Sequence, residues 1–294
     1  MHSDYSVGYR TVEVFDHELG LSFPVAVLYP TRTPAVAVQA GPYSLEVAPD
    51  ASLAEGIFPL AIISHGGGST PWAYRTLAYY LVRHGYVIGL PEHPFNNRHD
   101  DTWGSKRQNL TARPRHLHLA ISALFGHAEL APALHPNRVA VIGHSMGGYT
   151  ALAGAGGQPT SLPWESADEQ PRPIPVVPDG RISALVLLAP ATGWFRRAGA
   201  LRDVRVPVLL LAAEHDEPTP YFHSQIVING LPDPSKLEHR VVANAGHFSF
   251  LSPFPEARTS PAFPPSQDPP GFNRGHFQEE LHAEVLAFLA RTAS

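Results

Sequence analysis

Short runs of Val, Ile, Leu and Ala recur along the chain between polar, glycine-bearing breaks. FPLAIIS (58–64), YVIGLP (86–91), RVAVIG (138–143), ISALVLL (182–188) and VPVLLLAA (206–213) are predominantly apolar rather than alternating, as in strands of a parallel sheet covered on both faces. Between them the period changes. Leu77, Leu81 and Val82 share one helical face in AYRTLAYYLVRHG, which Gly85 closes, and Leu117, Ile121, Leu124 and Phe125 share one in RHLHLAISALFGHA. MGGYTALAGAG reads as a third helix and HFQEELHAEVLAFLART as a closing amphipathic one, with HRVVANAGH as a strand before it. At the other end, YRTVEVFD and LSFPVAVLYPT flank the turn HELG and predict an antiparallel pair. Strand and helix in alternation predict an α/β fold with a mostly parallel central sheet, antiparallel N-terminal strands and helices on both faces.

Two Pro-rich excursions, at about 157–180 and 251–272, interrupt this rhythm and hold many of the 31 prolines. Neither separates two self-sufficient sets of elements, so the expectation is a single domain over 1–294, with both excursions covering the active-site end of the sheet. No internal repeat is visible.

Composition narrows the function class. A hydrophobic content of 44% with 16% charged residues is that of a globular chain. A formal charge of −5 with only 21 Lys and Arg offers no basic field for phosphates, so no nucleic-acid partner is expected. No apolar stretch approaches the roughly 20 residues that span a bilayer, and MHSDYSVGYRTVEVFD lacks the pattern of a secretory signal. No integral membrane segment and a cytoplasmic location are the expectations; oligomeric state stays open. Without cysteine, thiolate chemistry and disulfides are excluded.

In a parallel sheet, reactive groups collect at the carboxyl ends of the strands. Four polar clusters fall there: SHGGG (64–68), GHSMGG (143–148), EHDEP (214–218) and NAGH (244–247). Gly143-His144-Ser145-Met146-Gly147 matches the G-x-S-x-G turn, which presents a serine hydroxyl between a strand and a helix N-terminus. A serine needs a base, and the base an orienting group. His247, on a Gly-bearing loop after a late strand, is the candidate base among 17 histidines, and Asp216, at the end of the strand between Ser145 and His247, the candidate acid, with Glu214 and Glu217 as alternatives. The glycines of SHGGG suit an oxyanion loop, with the N–H groups of Gly67 and Met146 as donors; His65 reads as a brace for that loop. A metal reading of His93, His99, His116 and His118 is disfavoured, since His116 and His118 point to different helix faces and no H-E-x-x-H occurs. Trp194, Phe195, Phe248, Phe250 and Phe254 are candidates equally for a pocket wall or for core.

With FPLAIISHGGG, LAYYLVRHGYVIGLPEH, VIGHSMGGYTAL and NAGHFSFLSPFP in hand, the chain from about residue 8 onward resembles the α/β-hydrolase superfamily, and more narrowly bacterial dienelactone-hydrolase-like proteins similar to platelet-activating-factor acetylhydrolase. The resemblance implies serine esterase chemistry on a small-molecule ester, without a cofactor or metal, with Ser145 as nucleophile, His247 as base and Gly67 and Met146 at the oxyanion hole. True dienelactone hydrolases use cysteine, so that substrate is not implied. The acetylhydrolase carries its acid after the preceding strand, where this chain reads LLAPATGW without a carboxylate, and Asp216 rests on the superfamily's general order. The same triad would serve an acyltransferase, lactonase or thioesterase, and the fold could also serve a non-catalytic ligand-binding protein.

Overall fold

The computed structural model describes residues 5–165 and 170–292. Its elements follow the order β1 (Ser6–Asp16), β2 (Leu21–Thr31), β3 (Val36–Ala40), β4 (Tyr43–Pro49), β5 (Phe58–Ser64), α1 (Arg75–Arg83), β6 (Val87–Pro91), α2 (Arg107–Gly126), β7 (Leu134–His144), α3 (Met146–Gly154), β8 (Ile182–Leu188), β9 (Val208–His215), α4 (Phe222–Gly230), β10 (Leu237–Gly246) and α5 (Arg274–Thr292). The strands form one sheet in the order β10-β9-β8-β7-β5-β6-β2-β1-β4-β3. From β10 to β6 neighbours run parallel, while β2 joins β6, and β1 joins β2, antiparallel.

The apolar runs are buried on both faces because alternate side chains enter separate cores. Ala61, Ile63, Ile142, Val186 and Leu188 pack with Leu77 and Leu81 of α1 and Leu281, Val285 and Phe288 of α5. Leu60, Ile62, Val141, Leu185 and Leu187 pack with Leu117, Ile121 and Leu124 of α2 and Leu152 of α3. From β5 the chain steps outward to β6, then returns across β5 to β7 and continues through β8 and β9 to β10. This reversal puts the carboxyl ends of β5 and β7 side by side at the switch point, where such sheets open a crevice.

Two departures from the sequence pattern have physical causes. The stretch between the N-terminal pair and β5, where the sequence pattern marks no strand, contains the β3–β4 hairpin; β4 buries Tyr43, Leu45 and Val47 alternately, while β3 is an edge strand with most of its surface exposed. Helix α2 begins eight residues before the stretch RHLHLAISALFGHA, running through Pro114. Proline there removes the donor to the carbonyl of Leu110, and Tyr149 Oη of α3 donates to that carbonyl instead, at 2.8 Å.

Candidate active site

The turn after β7 explains its own sequence. Ser145 has φ 53° and ψ −118°, a conformation that is strained for a residue with a Cβ and persists only where surroundings enforce it. The glycines make the turn possible: a Cβ at Gly143 would lie 2.1 Å from the Gly147 carbonyl oxygen, one at Gly147 1.9 Å from that of Ser64, and one at Gly148 2.4 Å from Pro190 Cβ. The Ser145 amide donates to Leu188 of the neighbouring strand (3.1 Å) and its carbonyl accepts from Ala191 (2.9 Å), which locks the turn to β8.

Ser145 and His247 border the same cavity, of about 330 Å³, together with Gly66 and Gly67. His247 Nδ1 lies 3.0 Å from both carboxylate oxygens of Asp216. Asp216, 9% exposed, is fixed in turn by Thr219, whose amide donates to Oδ1 (2.7 Å) and whose hydroxyl donates to Oδ2 (2.8 Å). The alternatives lie elsewhere: Glu214 is exposed and accepts the Asn244 amide at 2.7 Å, and Glu217 is exposed. Gly67 and Met146 are neighbours, since a Cβ on Gly67 would sit 3.5 Å from Met146 Cγ. Among the described residues, neither amide donates to a backbone carbonyl.

His144 joins the loops around the cavity. Its Nε2 is 2.9 Å from the His247 carbonyl and its Nδ1 is 2.9 Å from Tyr74 Oη, which accepts the Gly66 amide at 3.1 Å. With Nε2–H donating to His247, Nδ1 accepts the Tyr74 hydroxyl, so a neutral imidazole satisfies both partners. Burial, reinforced by His247, pushes His144 down to about 3. His65 is likewise held at about 3 by burial and by Arg113; its Nε2 accepts the His93 amide at 3.1 Å, bracing the loop before Gly66. His93 is fully buried against Ser64 Oγ (2.8 Å) and burial holds it well below its ordinary range. His116 Nε2 faces Asp16 at 3.4 Å and His118 Nδ1 faces Asp179 at 2.9 Å, on separate sides of α2. Among the described residues, no group of three or more His, Asp or Glu side chains could hold a metal ion.

These neutral histidines set an acid limit on the fold. Below about pH 5.5 the unfolded chain binds a proton at each of His65, His93 and His144 that the folded chain does not. Stability, fully present above the unfolded value near 6.5, should therefore fall by about 4 kcal/mol per pH unit, which exhausts a typical domain's stability near about pH 4. Urea midpoints measured from pH 7 to pH 4.5 check this; a flat profile would contradict it.

The aromatic candidates divide. Phe248 and Phe254 border the cavity, Phe250 packs against Phe277, and Trp194 and Phe195 pack on Tyr149. Of the Pro-rich segments, 251–272 supplies Phe254, Arg258, Phe263 and Pro265 to the cavity. Segment 157–180, of which 166–169 lie outside the described residues, supplies none of the lining among the described residues; Glu165 turns it toward Trp194 Nε1 at 3.0 Å. Arg274 at the start of α5 is buried and holds the wall, donating to Asp268 Oδ1 (2.8 Å) and to the carbonyls of Pro265 (2.8 Å) and Gln267 (3.0 Å).

The sheet order, with these loops gathered at its switch point, is that of an α/β-hydrolase fold. Among solved structures the chain is similar to a ferulic acid esterase from Streptomyces cinnamoneus, with a TM-score of 0.72 and 18% identity, over 98% of this chain and 90% of that one. No protein-family model matches the chain, and no curated protein matches it. No helix of the described residues is long and apolar enough to cross a membrane.

Proposed function

We propose that the protein is a carboxylic ester hydrolase of the serine type. The observation that carries the reading is the pairing of a strained, half-buried Ser145 with His247 on one cavity, His247 being held at Nδ1 by Asp216. His247 Nε2 takes the Ser145 hydroxyl proton as Oγ adds to the ester carbonyl. The amides of Gly67 and Met146 donate to the resulting oxyanion, and the imidazolium, stabilised by Asp216, returns its proton to the departing alkoxide. Water then repeats the sequence on the acyl-enzyme, giving up its proton to Nε2 and releasing the acid with Ser145 restored.

A cavity of about 330 Å³ walled by Phe248, Leu251, Phe254 and Phe263 suits a small ester. The fold shared with a ferulic acid esterase supports ester chemistry. A fluorophosphonate should label Ser145 in a one-to-one adduct seen by mass spectrometry, with loss of turnover on p-nitrophenyl esters of graded acyl length. Labelling at another residue, or no turnover of any ester in the series, would overturn the reading.

A further inference from the structure

We infer that Arg113, in the middle of α2, is a positioning residue for the oxyanion hole: its guanidinium ties together the two segments that carry the Gly67 and Met146 amides, and its charge favours the anion formed between them. The inference rests on the ester-hydrolase reading above.

Arg113 is fully buried and spends its donors on neutral acceptors. Nε donates to Thr150 Oγ1 at 3.0 Å, one terminal nitrogen donates to Asn96 Oδ1, and the other to the His65 carbonyl and, at 3.5 Å, to Ser64 Oγ. Three of these acceptors lead to the hole. The Thr150 hydroxyl donates to the Met146 carbonyl at 2.9 Å, so the first turn of α3 hangs on the guanidinium. The His65 carbonyl lies two residues before Gly67, and Asn96 Nδ2 lies 3.5 Å from where a Gly67 Cβ would sit. A single planar fork thus reaches the Gly67 segment directly at the His65 carbonyl and the Met146 segment through Thr150.

Among the described residues no carboxylate pairs with this guanidinium. The carboxylate that offsets it, Asp101, is exposed and is reached through Asn96, whose Nδ2 donates to Asp101 Oδ1 at 2.6 Å. His65, His93 and His116, which also feel the charge, are all held low and so remain neutral near pH 7. Burial pulls Arg113 itself down to about 9, which marks the cost of the arrangement. An uncompensated buried charge is destabilising, and an apolar side chain of similar volume commonly does as well or better for stability alone. The field extends toward the hole: it opposes the burial-driven rise of Tyr74, the hydroxyl that accepts the Gly66 amide. A fixed positive charge in a water-poor site favours an anion that appears only during reaction.

Two variants test this against a trifluoromethyl ketone, which forms a tetrahedral oxyanion adduct on serine. Arg113→Met should lower kcat by about 10- to 100-fold, somewhat less than loss of a direct donor, with KM within about twofold and ketone affinity falling by the same factor as kcat/KM. N96D/D101N retains the hydrogen-bond pattern but brings a carboxylate against the guanidinium. It should leave the thermal midpoint equal or higher while kcat and ketone affinity both drop, by about 10-fold or more, and it carries the test if Arg113→Met does not fold. If either variant folds and keeps both quantities within about twofold of wild type while Ser145→Ala is inactive, the ester-hydrolase reading stands and the role of Arg113 is overturned. If Ser145→Ala keeps full turnover, the reading itself fails.

Discussion

Ser145→Ala is expected to reduce kcat on a p-nitrophenyl ester by about 10⁶-fold, the scale seen when a serine nucleophile is removed, with residual turnover from the oxyanion donors and binding. Folding should be untouched, because among the described residues the Ser145 side chain makes no hydrogen bond that holds the turn; its amide and carbonyl hold it through Leu188 and Ala191. Ser145→Gly should be equally inactive yet no less stable, since glycine tolerates φ 53° without strain. Circular dichroism beside steady-state kinetics separates the two effects. Turnover within 100-fold of wild type in Ser145→Ala would reassign the nucleophile.

Asp216→Asn should lower kcat by about 10⁴-fold through the tautomer of His247. Thr219 presents two donors to the carboxylate, an amide to Oδ1 and a hydroxyl to Oδ2. An asparagine satisfies the amide with its one oxygen and then turns its NH₂ toward Thr219 Oγ1 and His247 Nδ1. Nδ1 becomes an acceptor, the ring proton moves to Nε2, and the nitrogen that should receive the serine proton no longer can. Glu214→Gln and Glu217→Gln should change kcat by less than about threefold, as exposed substitutions away from the site. A mild Asp216→Asn beside a severe change at either glutamate would move the acid.

The α/β alternation and the strand-end clusters were legible because each is local: an apolar run, a glycine turn and a polar residue follow one another in the chain. Ser145, Asp216 and His247 each close such a run; Asp216 contacts His247, and Ser145 and His247 line one cavity. What the sequence hid depends on partners far along the chain. His144 reads as the variable position of G-x-S-x-G, yet it bridges Tyr74 and His247. Arg113 reads as one more helix charge beside a proline, and its environment exists only once β5, α2 and α3 pack together. Pro114 hid the first turns of α2, because the donor that replaces its missing N–H comes from Tyr149, 35 residues onward. Thr219 left a faint signal, an aspartate followed three residues later by a threonine, the spacing at which a side-chain oxygen accepts a backbone amide.

If Ser145 is the nucleophile as proposed, the clamp at Arg274 separates selection from chemistry along the chain. The length between His247 and α5 can change its aromatic and cationic face without disturbing Ser145, provided that the ties from Arg274 to Pro265, Gln267 and Asp268 persist. Exchange of this stretch between related scaffolds would have to carry Arg274 and Asp268 with it. On the proposed reading, a transplant lacking them would keep Ser145 and lose a defined preference among esters.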